Sequence, residues 1–161
     1  MKHSLKDYTT HDLILVHWRD SMARAYGLLN SASIRHLPVV DDQGGIVGII
    51  SDRDFYRAMQ NDWQEFEIGS IVRNFMSWPV EAIDENHSVA DAARMMLDKK
   101  ISSLIVTRGS KAVGIVTNED LLRALLVYSE GLLGDLKNEV RSVFANSTIG
   151  QIAQRLADAG I

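Results

Sequence analysis

The chain has 161 residues, 46% of them hydrophobic and 24% charged, enough for one ordinary core or two small fused units but too few for a multidomain enzyme. A net charge of -4 provides no long-range attraction to nucleic acid or to an anionic membrane, which argues against both as partners. The lack of cysteine excludes disulfides, thiolate-bound zinc and a cysteine nucleophile.

The amino terminus, Met1 to Asp7, carries no apolar run, and no later segment reaches membrane-spanning length, so the expected setting is cytoplasmic, without membrane insertion. Leu13 to Val16 is a short apolar run of strand length. Ser21 then stands as N-cap to a helix in which Met22, Ala25, Tyr26 and Leu29 recur at helical spacing. Leu37 to Asp41, a glycine-containing turn (Asp42-Gln43-Gly44-Gly45) and Ile46 to Ile50 predict a hairpin. A helix follows at once, from Asp52 to Gln60.

The same succession then returns. Val80 to Ile83 reads as a strand, and Ser88 caps a helix carrying Val89, Ala92, Ala93 and Met96. Leu104 to Thr107 and Ala112 to Val116 flank the turn Arg108-Gly109-Ser110, and a helix runs from Asn118 to about Val127. Laid over one another, Ile34-Arg35-His36-Leu37-Pro38-Val39 meets Ile101-Ser102-Ser103-Leu104-Ile105-Val106. Val47-Gly48-Ile49-Ile50-Ser51-Asp52-Arg53-Asp54 likewise meets Val113-Gly114-Ile115-Val116-Thr117-Asn118-Glu119-Asp120. The offset is about 67 residues, longer than common solenoid periods, which points to two copies of one small unit. The expected fold is α/β (α+β): two tandem β-α-β-β-α repeats, packed sheet to sheet with pseudo-twofold symmetry because neither can bury both faces of its sheet alone. The first repeat spans 5–60, a connector with a short helix 61–75, the second repeat 76–128 and a helical tail 129–161.

With these residues in register, the chain resembles the cystathionine-β-synthase (CBS) domain family. Ile34-x-x-Leu37-Pro38-Val39-Val40-Asp41, a glycine turn, then Val47-Gly48-Ile49-Ile50-Ser51-x-x-Asp54 is similar to its pattern. The second copy is similar too, with Ile105 where the family often has proline, and Phe75-Met76-Ser77-Trp78-Pro79-Val80 resembles its lead-in. The resemblance implies a paired regulatory module (a Bateman module) with two symmetry-related clefts for AMP, ADP, ATP or S-adenosylmethionine. It also implies a regulated partner protein and, by family habit, a homodimer.

The residues themselves support two readings of Ser51-Asp52-Arg53-Asp54 and Thr117-Asn118-Glu119-Asp120. Each is placed where a buried strand gives way to a helix, so a hydroxyl with an acid three residues on can be a capping box. The same helix N-terminus can seat a phosphate. The hydroxyl of Ser51 or Thr117 would bind a phosphate or ribose oxygen, and Asp54 or Asp120 would accept from the ribose hydroxyls. The copies differ in charge: Arg35, His36 and Arg53 surround the first seat, while Ser102, Ser103 and Glu119 hold the matching places in the second. Because arginine binds polyphosphate and glutamate repels it, the Asp54 cleft is expected to take the more anionic ligand. By family analogy, the adenine slot of each cleft is shared, with Ile101 and Ser103 facing the helix start of one copy and Ile34 and His36 that of the other. Ile34 and Ile101 also suit any hairpin core.

No paired histidine spacing, nucleophile elbow, phosphate-binding loop or dinucleotide fingerprint is present, so no catalytic residue, metal site or catalytic cofactor is expected and the chain reads as a non-enzyme. Asp52-x-Asp54 lacks a third ligand at fixed spacing. In the tail, Val140 to Val143 and Thr148 to Ala153 lie over Val80 to Ile83 and Ser88 to Ala93, which suggests the start of a truncated third repeat. An amphipathic helix is the alternative. The rival function is a ligand-free dimerisation or interaction module, favoured if Trp63, Phe66 and Trp78 form one exposed patch.

Overall fold

The computed structural model describes residues 4–61 and 70–132. The chain divides after Leu121 into two units, and both repeats up to that residue lie in the first. The first repeat runs β1 (Val16–His17), α1 (Met22–Ala32), β2 (His36–Val40), β3 (Ile46–Ser51) and α2 (Asp52–Asn61). The second runs β4 (Ala82–Asp84), α3 (Val89–Lys99), β5 (Ser103–Arg108), β6 (Lys111–Thr117) and α4 (Asn118–Leu132). Each makes a three-stranded sheet in chain order, with the first strand parallel to the second and the second antiparallel to the third. Within the second unit only the stretch Leu122–Leu132 of α4 is described, and the proposed third repeat lies outside the described residues.

Local chemistry explains the element boundaries. Ser21 Oγ accepts from Arg24 N at the start of α1, and Ser88 forms a full capping box with Asp91 at the start of α3. Both helices end on a left-handed residue that is not glycine, Ser33 (φ 53°, ψ 40°) and Lys100 (φ 56°, ψ 40°). Their amides reach back to the carbonyls of Leu29 and Asn30, and of Met96 and Leu97. The hairpins turn through Gly44 (φ 79°) and Gly109 (φ 61°), and both carry an irregularity at matching places, between Val39 and Val40 and between Val106 and Thr107. The opening strands come later than their apolar runs suggest. Only Val16 and His17 reach the ladder of β2, and Ile14 and Leu15 are left exposed: Pro38 has no N–H to continue the ladder, whereas the matching Ile105 N–H donates to Glu81 O at 3.0 Å.

Alternation along the strands gives each sheet two buried faces. Leu37, Val39 and Ile50 join Val16, Met22, Ala25, Leu29 and Phe55 in one core, and Leu104, Val106 and Val116 join Ile83, Ala92 and Met96 in the other. Pro38, Ile105 and Ile115, which point the opposite way, are also buried, as packing of sheet against sheet requires.

The two repeats exchange their lead-in segments. The 3-10 helix Leu5–Tyr8 sends Leu5 into the second core, and the 3-10 helix Val72–Asn74 sends Val72 into the first. Beyond them, Thr10 pairs with Ile115 on β6, and Ser77 pairs with Ile49 on β3. The close approach of these segments demands glycine at Gly114 and Gly48. A Cβ at Gly114 would lie 2.6 Å from the Thr10 carbonyl oxygen, and one at Gly48 would lie 3.0 Å from that of Ser77. Gly114→Ala is therefore expected to destabilise the fold by about 1–3 kcal/mol, as overpacking against backbone does. Gly27→Ala, in the middle of α1 with open space around it, should stabilise by about 0.5–1 kcal/mol. Urea unfolding of the two variants beside the parent checks both signs.

Candidate functional site

The sites of interest are the two places where the third strand of a repeat runs directly into its last helix. β3 ends at Ser51 and α2 begins at Asp52; β6 ends at Thr117 and α4 begins at Asn118. The first helical amide is held in both cases by the residue just before the second strand: Asp52 N–H donates to Arg35 O at 3.1 Å, and Asn118 N–H to Ser102 O at 3.0 Å. At the first junction Asp54 Oδ2 accepts from Ser51 N–H and Ser51 Oγ, both at 2.7 Å. At the second, Asp120 Oδ2 accepts from Thr117 N–H at 2.8 Å and from Thr117 Oγ1 at 2.7 Å.

The local bonds are those of a helix cap, and the pair Ser88–Asp91 makes them as well. Burial separates the cases. The Asp91 side chain is 43% exposed and that of Asp54 11%, and Asp120 is buried like Asp54. A carboxylate withdrawn from water at a helix start needs partners, and the cap occupies one oxygen of Asp54 fully. Its other oxygen, Oδ1, is 3.9 Å from the exposed guanidinium of Arg57.

Around the first junction the chain collects charge. His36, opening β2, is the register partner of Ser51, and its imidazole feels Asp52, Arg53, Asp54 and Arg35. Burial, as the largest influence, holds His36 below the ordinary histidine value, with the two aspartates pulling up and the two arginines pushing down. Its Nε2 is hydrogen-bonded across the repeat interface to Ser102 Oγ at 2.9 Å. Around the second junction the register partner of Thr117 is Ser103, buried and uncharged, and Glu119 is exposed. Arg35 and Arg53 are exposed, while Ile34 and Ile101 pack against the core of their own repeat. The chemistry available is thus hydroxyl and buried carboxylate in both places, with Arg35, His36 and Arg53 beside the first where Ser102, Ser103 and Glu119 stand beside the second. Among the described residues no group of histidines and acids is arranged to hold a metal ion.

The CBS domain family model matches residues 5–61 and 72–127. The chain belongs to the CBS-domain family. As a CBS pair it is similar to the crystal structure of the CBS domain pair of MJ0100, in complex with 5′-methylthioadenosine and S-adenosyl-L-methionine. Identity there is 29% and the TM-score 0.69, covering 78% of this chain and 97% of that one. It is equally similar to CBSX2 in complex with AMP, at 29% identity and a TM-score of 0.67, covering 79% of this chain and 98% of that one. A curated relative, the MJ1404 protein of Methanocaldococcus jannaschii, is 27% identical over 139 residues. The alignment takes in 80% of this chain but only 33% of the relative's length. Among the described residues no helix is long and apolar enough to cross a membrane.

Sequence reasoning overlooked a polar cluster in the second repeat. Glu85, 4% exposed, accepts from Arg108 Nε at 2.6 Å and Nη2 at 3.0 Å, with Lys6 Nζ 3.4 Å away. The first repeat replaces it with Trp18, whose ring is covered by Arg73 at 4.8 Å and Arg19 at 5.6 Å, and whose buried Nε1 has no partner among the described residues. Lys6 and Arg73 stand at the same repeat position, a signal the register of the two copies contains. The Arg108 hydrogen bonds hold the Glu85 carboxyl below its ordinary value of 4.5. A depressed acid contributes stability above its unfolded value and loses it as pH falls through the folded one. Glu85→Gln is therefore expected to be less stable than the parent at pH 7, with the gap closing as pH drops below about 4.5; denaturant midpoints across pH check it.

Proposed function

We propose that this CBS pair is a sensor of adenine nucleotides that regulates a partner protein rather than catalysing a reaction. The observation that carries the reading is the twofold-repeated seat: a hydroxyl and a buried carboxylate at a strand-to-helix junction, Ser51 with Asp54 and Thr117 with Asp120. The positive end of the helix dipole suits a phosphate, and a carboxylate can accept from the hydroxyls of a ribose. The similar MJ0100 and CBSX2 structures, with their adenosyl ligands, support the choice of adenine nucleotides or S-adenosylmethionine.

In this reading Ser51, Arg53, Asp54, Arg35 and His36 form the first seat, with Ile101 and Ser103 of the second repeat lining its adenine slot. Thr117 and Asp120 form the second, with Ile34 and His36 of the first repeat lining its slot. The first takes the more anionic ligand, AMP, ADP or ATP; the second is weak or takes a less anionic adenosyl compound, since Glu119 opposes added negative charge. A homodimer in the cytoplasm, built from the repeats at 5–60 and 76–128, completes the proposal. The rival, a ligand-free interaction module, draws on Trp78, which is 72% exposed; Trp63 and Phe66 lie outside the described residues.

Thermal unfolding with AMP, ADP, ATP and S-adenosylmethionine separates the two. A ligand of the native state at a hundred times its Kd adds about 2.7 kcal/mol, a shift of several degrees. Each variant is read against its own ligand-free Tm, because Asp54→Ala and Asp120→Ala also remove a helix cap. Asp54→Ala should abolish most of the shift with AMP or ATP, and Asp120→Ala should leave most of it. Equal losses overturn the division of labour, and no shift with any ligand favours the interaction module.

A further inference from the structure

His36 occupies a position that the ligand reading alone does not explain. It opens β2 opposite Ser51, beside the first seat, and its Nε2 crosses to Ser102 Oγ of the other repeat at 2.9 Å. The charged groups facing it are Arg35, just before its own strand, and Asp52, Arg53 and Asp54 from the first turn of α2; the second repeat faces it with the neutral Ser102. We propose that His36 is a proton-coupled charge detector of the first seat, taking up a proton when an anionic phosphate enters and releasing it when the phosphate leaves. This rests on the nucleotide reading above.

The seat supplies what such a detector needs. Burial disfavours the imidazolium, so the ring is neutral near pH 7 while the seat has no phosphate. An incoming phosphate adds negative charge beside a ring already shielded from bulk water, which favours the protonated form. The hydrogen bond to Ser102 survives the change, because a hydroxyl can either donate to a neutral ring nitrogen or accept from a protonated one. The junction between the repeats is thereby tied to the charge state without being broken. The equivalent position in the second repeat is Ser103, whose hydroxyl does not titrate in this range.

The sign follows from linkage. Between the ligand-free value, below 6.5, and the raised value in the complex, binding takes up protons, so affinity increases as pH falls through that window, by at most tenfold per unit. Adenosine, which has no phosphate, should show no such dependence.

Calorimetric titration of AMP and of adenosine at pH 6.5, in MES and in Bis-Tris, counts the protons exchanged. Because the phosphate of AMP titrates nearby, the quantity read is the difference between the parent and His36→Gln, whose amide can still reach Ser102. The expected difference is an uptake of up to one proton with AMP and none with adenosine. Equal exchange in parent and variant overturns the inference while leaving the nucleotide reading in place; failure of the parent to bind AMP overturns both. Should the variant not fold, the His36 ring resonances of the parent decide at the same pH. A move to imidazolium shifts on adding AMP supports the inference, and unchanged shifts overturn it.

Discussion

Leu5 is buried in a core otherwise built from residues between Ile83 and Leu121, and Val72 in one whose other buried residues run from Val16 to Phe55. Each repeat therefore lacks part of its interior until the other delivers it. The lead-in strands extend the same exchange to the sheets, where Thr10 meets Ile115 and Ser77 meets Ile49 through paired backbone hydrogen bonds at 2.8–3.0 Å. Two small cores are thereby coupled into a single cooperative unit, which a repeat of this size could not achieve by burial alone. The glycines that admit the exchanged strands, Gly48 and Gly114, are fixed by backbone contact and not by turn geometry.

The shared frame carries unlike chemistry at equivalent positions. Beside the junctions, Arg35, His36 and Arg53 stand against Ser102, Ser103 and Glu119. Under the first strands, a tryptophan covered by arginine stands against a buried glutamate held by Arg108 and Lys6. In both cases the first repeat gathers arginines around an aromatic or imidazole ring, while the second has an acid, Glu119 or Glu85, at the matching place or beside it. In the proposed reading, this symmetric backbone with asymmetric electrostatics would give one molecule two binding environments of different charge preference.

Much of this was legible in the sequence because the repeat doubles every weak local signal. Ser21 and Ser88 each suggest a cap, and their common register makes both firm; the hairpin glycines and the two strand-to-helix junctions gain in the same way. The CBS-domain membership and the α+β architecture followed from that register. The sequence was less informative where partners are distant in the chain. Nothing within the run says that Leu13 to Leu15 stay out of the sheet, because the ladder stops at Pro38 of the neighbouring strand, which has no N–H to donate. Nor does local pattern show that Leu5 belongs to the second core, or that His36 meets Ser102, since both depend on how the copies dock. The Glu85 cluster escaped notice for the same reason: Lys6, Glu85 and Arg108 are scattered along the chain and converge only in the fold.

The ends of α1 and α3 show how such divergence is tolerated. Ser33 and Lys100 share no side-chain chemistry, yet their backbone angles agree to within 3° in φ and coincide in ψ. Neither is glycine, although the left-handed region favours it. The torsions are thus those that hydrogen bonding to the preceding turn enforces, and different side chains are carried on the same path. Duplicated halves can then acquire separate ligand preferences by point substitution, with no rerouting of the main chain.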